Sequence, residues 1–181
     1  VIDTPADQYD PLYGDTMNTR NSICKTAISA LLATMILVGC GGDTPESMVA
    51  SAKEYMAKND SKAAIIQLKN ALQKNPDIGE ARYLLGKLYF EQADYPGAEK
   101  ELTRALDAGY SADEVVPILA KTLLASGQGD KIDSLLASRQ LKQPEARAAL
   151  LTTQGLDLLG RGKREEGVVA LNAALKESPG Y

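Results

Sequence analysis

Two stretches of the sequence decide the fold: 48–76, MVASAKEYMAKNDSKAAIIQLKNALQKNP, and 82–110, RYLLGKLYFEQADYPGAEKELTRALDAGY. They align without a gap at a spacing of 34 residues, and the small, aromatic and leucine positions coincide: Ala52 with Gly86, Tyr55 with Tyr89, Ala64 with Ala98, Leu68 with Leu102, and Ala71 with Ala105. Repetition at this length is typical of a stacked helix–turn–helix unit.

The same residue types recur at matching positions in two further repeats. A small residue at position 8 lets the second helix approach, and position 11 fills the remaining gap: Ala52, Gly86, Ala120 and Gly155, then Tyr55, Tyr89, Leu123 and Leu158. Small residues at position 20 and leucines at position 24 form the inward stripe of the second helix: Ala64, Ala98 and Gly167, then Leu68, Leu102, Leu136 and Leu171. The pattern predicts an all-α fold, a tetratricopeptide (TPR) right-handed superhelical solenoid of antiparallel helix pairs.

The predicted frames are TPR 1 at 45–78, TPR 2 at 79–112, a degenerate TPR 3 at 113–147 and TPR 4 at 148–181. Thr44 before Pro45 predicts a helix N-cap, Asp60 and Asp94 cap second helices, and Ser111 with Glu114 forms a capping box. In TPR 3, Ile132 stands where alanine is expected and Arg139 replaces a small residue. The second helix of this repeat lies between the turn segments SGQGD and KQP, so it is expected to be short and the least stable element. No polar capping helix follows TPR 4, which predicts a truncated array.

Composition argues against several classes of function. The chain has a formal charge of −4 and no histidine, so the commonest general base and metal ligand is missing. No arginine-rich run interleaves with aromatic residues, as in single-strand nucleic-acid binders. We therefore expect no enzyme activity, no cofactor, no metal and no nucleic-acid partner. Charges at Arg161, Lys163, Arg164, Glu165 and Glu166 are interpreted as solvated turns and a helix start.

The N-terminal part has the order of a cleavable signal sequence. Arg20 and Lys25 follow Met17, and the uncharged run 26–38 is too short to span a hydrocarbon core of about 30 Å. Leu37, Val38, Gly39 and Cys40 resemble the lipobox of bacterial lipoproteins, in which the cysteine is acylated. A plain secretory signal and a structural thiol remain the alternatives.

These patterns divide the N-terminal region. We predict a lipoprotein signal peptide at 17–39 and a lipidated tether at 40–44, anchored through Cys40. Residues 1–16 carry four aspartates and no basic residue, the wrong charge for the front of a signal sequence. We interpret 1–16 as a disordered leader upstream of the true start at Met17, with an acidic extension as the alternative.

The lipobox, the first repeat (AKEYMAKNDSKAAIIQLKNALQKNPD) and the second (EARYLLGKLYFEQADYPGAEKELTRALDAGY) together resemble the PEP-CTERM system TPR-repeat lipoproteins of Gram-negative bacteria. The resemblance covers about 17–181. It implies a periplasm-facing TPR array, associated with exosortase and exopolysaccharide genes, that serves protein sorting or export. It carries over no catalytic residues. The residue after Cys40 is glycine, not the aspartate of inner-membrane retention, which favours the outer membrane.

Two alternatives to that role stay open. One is a TPR assembly lipoprotein for outer-membrane proteins or an exopolysaccharide secretin. The other is the TPR region of a larger enzyme, such as a glycosyltransferase, whose catalytic domain lies downstream.

First helices of TPR arrays usually line a ligand groove through positions 2, 5, 9 and 12. Here these positions give a glutamate rail (Glu46, Glu80, Glu114), a lysine rail (Lys53, Lys87, Lys121), an apolar row (Met56, Phe90, Leu124) and one aromatic residue (Tyr83). Spaced ammonium groups beside an apolar strip suit an acidic peptide or an anionic polysaccharide. Alternatively, the two rails pair with each other and merely keep the array soluble.

Overall fold

The computed structural model describes residues 44–180. Within this range the chain forms eight α-helices and no β-strand: α1 (Pro45–Ala57), α2 (Ser61–Lys74), α3 (Gly79–Glu91), α4 (Tyr95–Asp107), α5 (Ala112–Ala125), α6 (Gly129–Ser138), α7 (Pro144–Gly160) and α8 (Arg164–Glu177). Consecutive helices pack as pairs, and each pair packs against the next through the following first helix. The predicted all-α stack of TPR helix pairs is confirmed.

Short polar caps begin several helices. The Thr44 hydroxyl accepts the Ser47 N–H at 3.1 Å before Pro45 starts α1. Asp60 and Asp94 accept the N–H groups of Ala63 and Gly97, each at 3.0 Å, at the starts of α2 and α4. These three predicted caps are confirmed.

The predicted capping box at α5 is wrong. Among the described residues the Ser111 side chain makes no capping hydrogen bond, and Glu114 instead accepts the Tyr110 hydroxyl at 3.1 Å. The hydroxyl of Tyr110, the residue before the cap, takes the Glu114 carboxylate. The helix instead begins with the backbone N–H groups of Glu114 and Val115 donating to the Ser111 carbonyl.

Glycine permits the closest approach within two of the pairs. A Cβ on Gly86 would lie 2.7 Å from Cγ of Leu102, and one on Gly155 would lie 2.8 Å from Cγ of Leu171. Leu68 and Leu102 are fully buried. The predicted fit of small residues on first helices to leucines on second helices is therefore confirmed. Tyr89 packs against two hydrophobic clusters, one built by α1 to α3 and one by α4 to α7.

The third pair departs from the others. Helix α6 has ten residues and is the shortest helix of the described part, as its sequence predicts. Ile132 is fully buried, whereas the leucine at position 24 of this repeat, Leu136, is only half-buried. Helix α7 begins at Pro144, ahead of the frame edge predicted at 148, because the chain resumes its helix as soon as proline supplies a suitable first residue.

The leader 1–16, the signal peptide 17–39, Cys40 and the tether apart from Thr44 lie outside the described residues. None of the helices within 44–180 is both long and apolar enough to cross a bilayer.

Candidate ligand groove

The predicted groove residues stand on the first helices of three pairs. Helix α1 carries Glu46, Lys53 and Met56; helix α3 carries Glu80, Tyr83, Lys87 and Phe90; and helix α5 carries Glu114, Lys121 and Leu124. Residues seven apart, such as Glu80 and Lys87, share one helix face because seven residues make about two turns. Each of these three helices therefore presents the same order of acid, base and apolar side chain.

One pair of rail residues meets across neighbouring repeats. Lys53 Nζ lies 2.5 Å from Glu80 Oε1, and their side chains are 51% and 39% exposed. An ion pair with this exposure contributes under about 1 kcal/mol. At this junction the two rails pair with each other, as in the solubilising interpretation.

The equivalent pair does not form one repeat later. Glu114, the expected partner of Lys87, accepts the Tyr110 hydroxyl instead, and Tyr110 stacks on Tyr83 with ring centroids 5.1 Å apart. Burial, followed by the charge of Glu114, raises the pKa of Tyr83. Burial also raises the pKa of Tyr110, assisted by its hydrogen bond to Glu114. Both phenols are therefore neutral near pH 7, and the stacked pair places an aromatic surface at the predicted groove position of Tyr83.

Lys87 and Lys121 make no ion pair within residues 44–180. For Lys121 the sequence supplies the reason, because the fourth repeat has Ala149 where a rail glutamate would stand. The fourth repeat also replaces the lysine with Leu156, which is 50% exposed. At this repeat position α3 and α5 therefore carry a positive charge that is unpaired within this range, whereas α7 carries an exposed apolar side chain.

The apolar row is half-buried and is partly a component of the core. Met56 packs against the cluster of the first pair, and Phe90 and Leu124 pack against the cluster that includes α5. Phe90 also contacts Tyr95 at a centroid distance of 6.1 Å. Only the remaining exposed edges of these side chains can contact a ligand. No group of acidic or cysteine side chains within the described range could hold a metal ion.

A charged cluster that the sequence did not predict surrounds Arg161. Arg161 lies in an exposed turn, as predicted, but it also contacts the carboxylate of Asp157, lies 2.8 Å from Asp130 and lies 3.6 Å from Asp133. The cluster joins α6 to α7 outside the groove. An aspartate four residues before an arginine on one helix was the only local signal available.

Comparisons with known proteins agree with the helix pairs. The family model "Tetratricopeptide repeat" matches residues 49–113. Two crystal structures of MamA are similar, both at 22% identity: one has a TM-score of 0.70 and covers 93% of this chain and 97% of that chain, and the other has 0.69, 89% and 87%. YrrB, described as a TPR protein with an unusual peptide-binding site, has a TM-score of 0.54 at 17% identity and covers 78% and 90%.

No curated protein matches the sequence. The repeat match and the structural likeness together define a tetratricopeptide repeat fold, a class that generally provides scaffolds for protein–protein interactions.

Proposed function

We propose that the chain is a non-catalytic scaffold whose first-helix groove binds an extended acidic segment of a partner protein. The observation that carries the proposal is that Lys87 and Lys121 have no ion-pair partner among the described residues. Each lysine stands one helical turn before a half-buried apolar residue, Phe90 or Leu124. Unpaired ammonium groups attract carboxylates, and the adjacent apolar edges favour aliphatic side chains between them.

An extended peptide fits this arrangement better than a folded surface does. Successive side chains of an extended strand alternate between two sides, so acidic residues at every second position would face the lysines together. YrrB, with its peptide-binding site, supports a peptide ligand for this fold. An anionic polysaccharide offers similar charge but no aliphatic side chains for the apolar edges, and it serves as the competing ligand in the test.

The proposed location is the periplasmic side of the outer membrane, with a lipid anchor at Cys40. Support comes from the lipobox at 37–40 and from the resemblance to PEP-CTERM system lipoproteins. In this setting the scaffold takes part in exosortase-linked protein sorting or in exopolysaccharide export. The membrane contributes through the anchor, and the groove contributes partner recognition.

The groove is tested by titrating the full chain with a labelled decapeptide of alternating glutamate and leucine and measuring fluorescence anisotropy. The double variant K87E/K121E is expected to bind the peptide about tenfold more weakly or worse, because attraction becomes repulsion at two sites. The single variant K53E is expected to have a smaller effect, because Lys53 is already engaged by Glu80.

The matched control is K62E/K142E, which reverses the same charge at two exposed lysines outside the groove. Equal losses in the control and the groove variant would show only non-specific attraction and would contradict the proposal. Binding of alginate with affinity equal to that of the peptide, lost in the same groove variant, would replace the peptide with a polysaccharide. Circular dichroism confirms that each variant keeps its helix content.

A further inference from the structure

A pocket of about 430 Å³, open to solvent along one side, lies where the third repeat breaks the pattern. Leucines from α6, α7 and their connection line its interior: Leu136, Leu141, Leu150 and Leu151. Arg139, Gln140 and Arg147 complete the lining. None of these residues belongs to the first-helix groove.

The pocket exists because α6 ends early. The chain leaves the helix at Arg139 with extended backbone angles, φ −121° and ψ 123°. At this repeat position the other repeats have alanines inside the second helix, Ala71, Ala105 and Ala174, all of them buried. Where an extended segment replaces the last helical turn, the pocket is lined by the half-buried Leu136 and by residues 139–141 of the connection.

Hydrogen bonds hold the connection that forms one wall. Asp113 Oδ1 accepts the N–H groups of Lys142 and Gln143 at 2.7 and 3.1 Å. Arg147 donates to the carbonyls of Leu141 and Lys142, both at 2.9 Å, and its Nε lies 2.7 Å from Glu177 Oε2. Because Asp113 and Arg147 both hold this connection, it is ordered before a ligand binds, which lowers the entropic cost of binding.

The polar side chains at the entrance, unlike the wall, have no hydrogen-bond partners among the described residues. Within the described part of the chain, the side chains of Arg139 and Gln140 make no hydrogen bond or ion pair. An exposed guanidinium at the mouth of a leucine-lined pocket is complementary to a carboxylate whose attached chain is aliphatic.

We propose that this pocket binds a medium-chain fatty acid, with the acyl chain against the four leucines and the carboxylate on Arg139. The volume falls in the range of about 300–1,000 Å³ typical of small-molecule sites. A single aliphatic side chain of a peptide would leave much of it unfilled. A second ligand class, separate from the groove partner, therefore has a site on this scaffold.

Calorimetric titration of the full chain with sodium decanoate, below its micellar concentration, tests the proposal. Saturable one-site binding is expected. Octanoate should bind about tenfold more weakly, because two fewer methylenes are buried. Decanol, with the same tail and no carboxylate, should also bind about tenfold more weakly. R139Q should lose about tenfold in decanoate affinity, whereas the control R164Q at another exposed arginine should not.

A second variant changes the apolar lining and leaves Arg139 in place. L151D places a carboxylate in the lining and should abolish decanoate binding, with retained helix content checked by circular dichroism. Equal binding of decanoate and acetate, or an unchanged affinity in both R139Q and L151D, would overturn the proposal. Binding of a leucine-terminated hexapeptide without binding of decanoate would likewise reject the fatty acid. The groove variant K87E/K121E should bind decanoate normally, so failure of either proposal is distinguishable from failure of the other.

Discussion

Arg82 on α3 and Glu101 on α4 form an ion pair of 2.8 Å, and their side chains are only 12% and 10% exposed. Arg82 also donates from Nε to the carbonyl of Pro76 at 2.8 Å. The arginine therefore ties together the second helix pair and the turn that precedes it. The main effect of removing one partner of such a pair is the free-energy cost of the unpaired buried charge that remains.

Removing one partner of this pair should destabilise the fold strongly. In E101L the buried guanidinium of Arg82 loses its counter-charge, and we expect the free energy of unfolding in urea to fall by about 3 kcal/mol. The double variant R82M/E101L should recover much of that loss, since no buried charge remains unpaired. A loss below about 1 kcal/mol in E101L would contradict the buried-pair assignment.

Substituting Gly86 tests the close approach between α3 and α4. G86A places a Cβ 2.7 Å from Leu102 Cγ and 3.2 Å from the Leu102 backbone nitrogen, so the helices must separate. We expect a loss of about 1–3 kcal/mol in thermal or urea unfolding. The matched control is G160A on α7, where a new Cβ meets nothing within 4 Å and should be neutral or slightly stabilising. Equal effects at both glycines would show that packing at Gly86 is not limiting.

Arg161 is expected to hold the short helix α6 onto α7. It is 2.8 Å from Asp130 on α6 and also contacts the largely buried carboxylate of Asp157 on its own helix. In R161Q, hydrogen exchange of α6 amides should accelerate more than exchange in α1 to α4, because local opening of α6 becomes easier. R164Q, at an exposed arginine, provides the control. Uniform acceleration over all helices would assign Arg161 a global role instead.

Glu99 should contribute to the loss of folding stability at acidic pH. Its hydrogen bond from Lys131, at 2.5 Å, is the main reason that the pKa of this carboxyl lies below its usual value. Ionised Glu99 therefore stabilises the folded state above the unfolded-state pKa, and the contribution disappears as the pH falls through the lower folded-state pKa.

The unfolding free energies of wild type and E99Q should consequently differ near pH 7 and converge as the pH falls through the lowered folded-state pKa. Urea unfolding at several pH values measures the difference. A constant gap across this range would show that Glu99 acts through packing and not through its charge.

Features that depend on residues at fixed spacing were predictable from the sequence. The fit of Gly86 to Leu102 and the caps at Asp60 and Asp94 follow from residue types within one repeat. The short α6 followed from Arg139 and the turn residues around it. Such features depend on local geometry that every repeat shares.

Contacts that depend on the relative position of neighbouring repeats were not predictable from the sequence. Glu114 was assigned to a cap, but the Tyr110 hydroxyl takes it, and this leaves Lys87 without its rail partner. Arg161 reaches Asp130 across 31 residues, a separation at which sequence spacing carries no signal. The pocket at Arg139 likewise required the path of the chain after Ser138.

We propose that this tetratricopeptide scaffold is held at the envelope by an acyl chain on Cys40. The most direct measurement expresses the chain from Met17 in a Gram-negative host and follows palmitate labelling and membrane fractionation for wild type, C40S and C24S. We predict label and membrane association in wild type and in C24S, and loss of both in C40S. Wild-type protein that is unlabelled and soluble, or label that persists in C40S, would contradict the account.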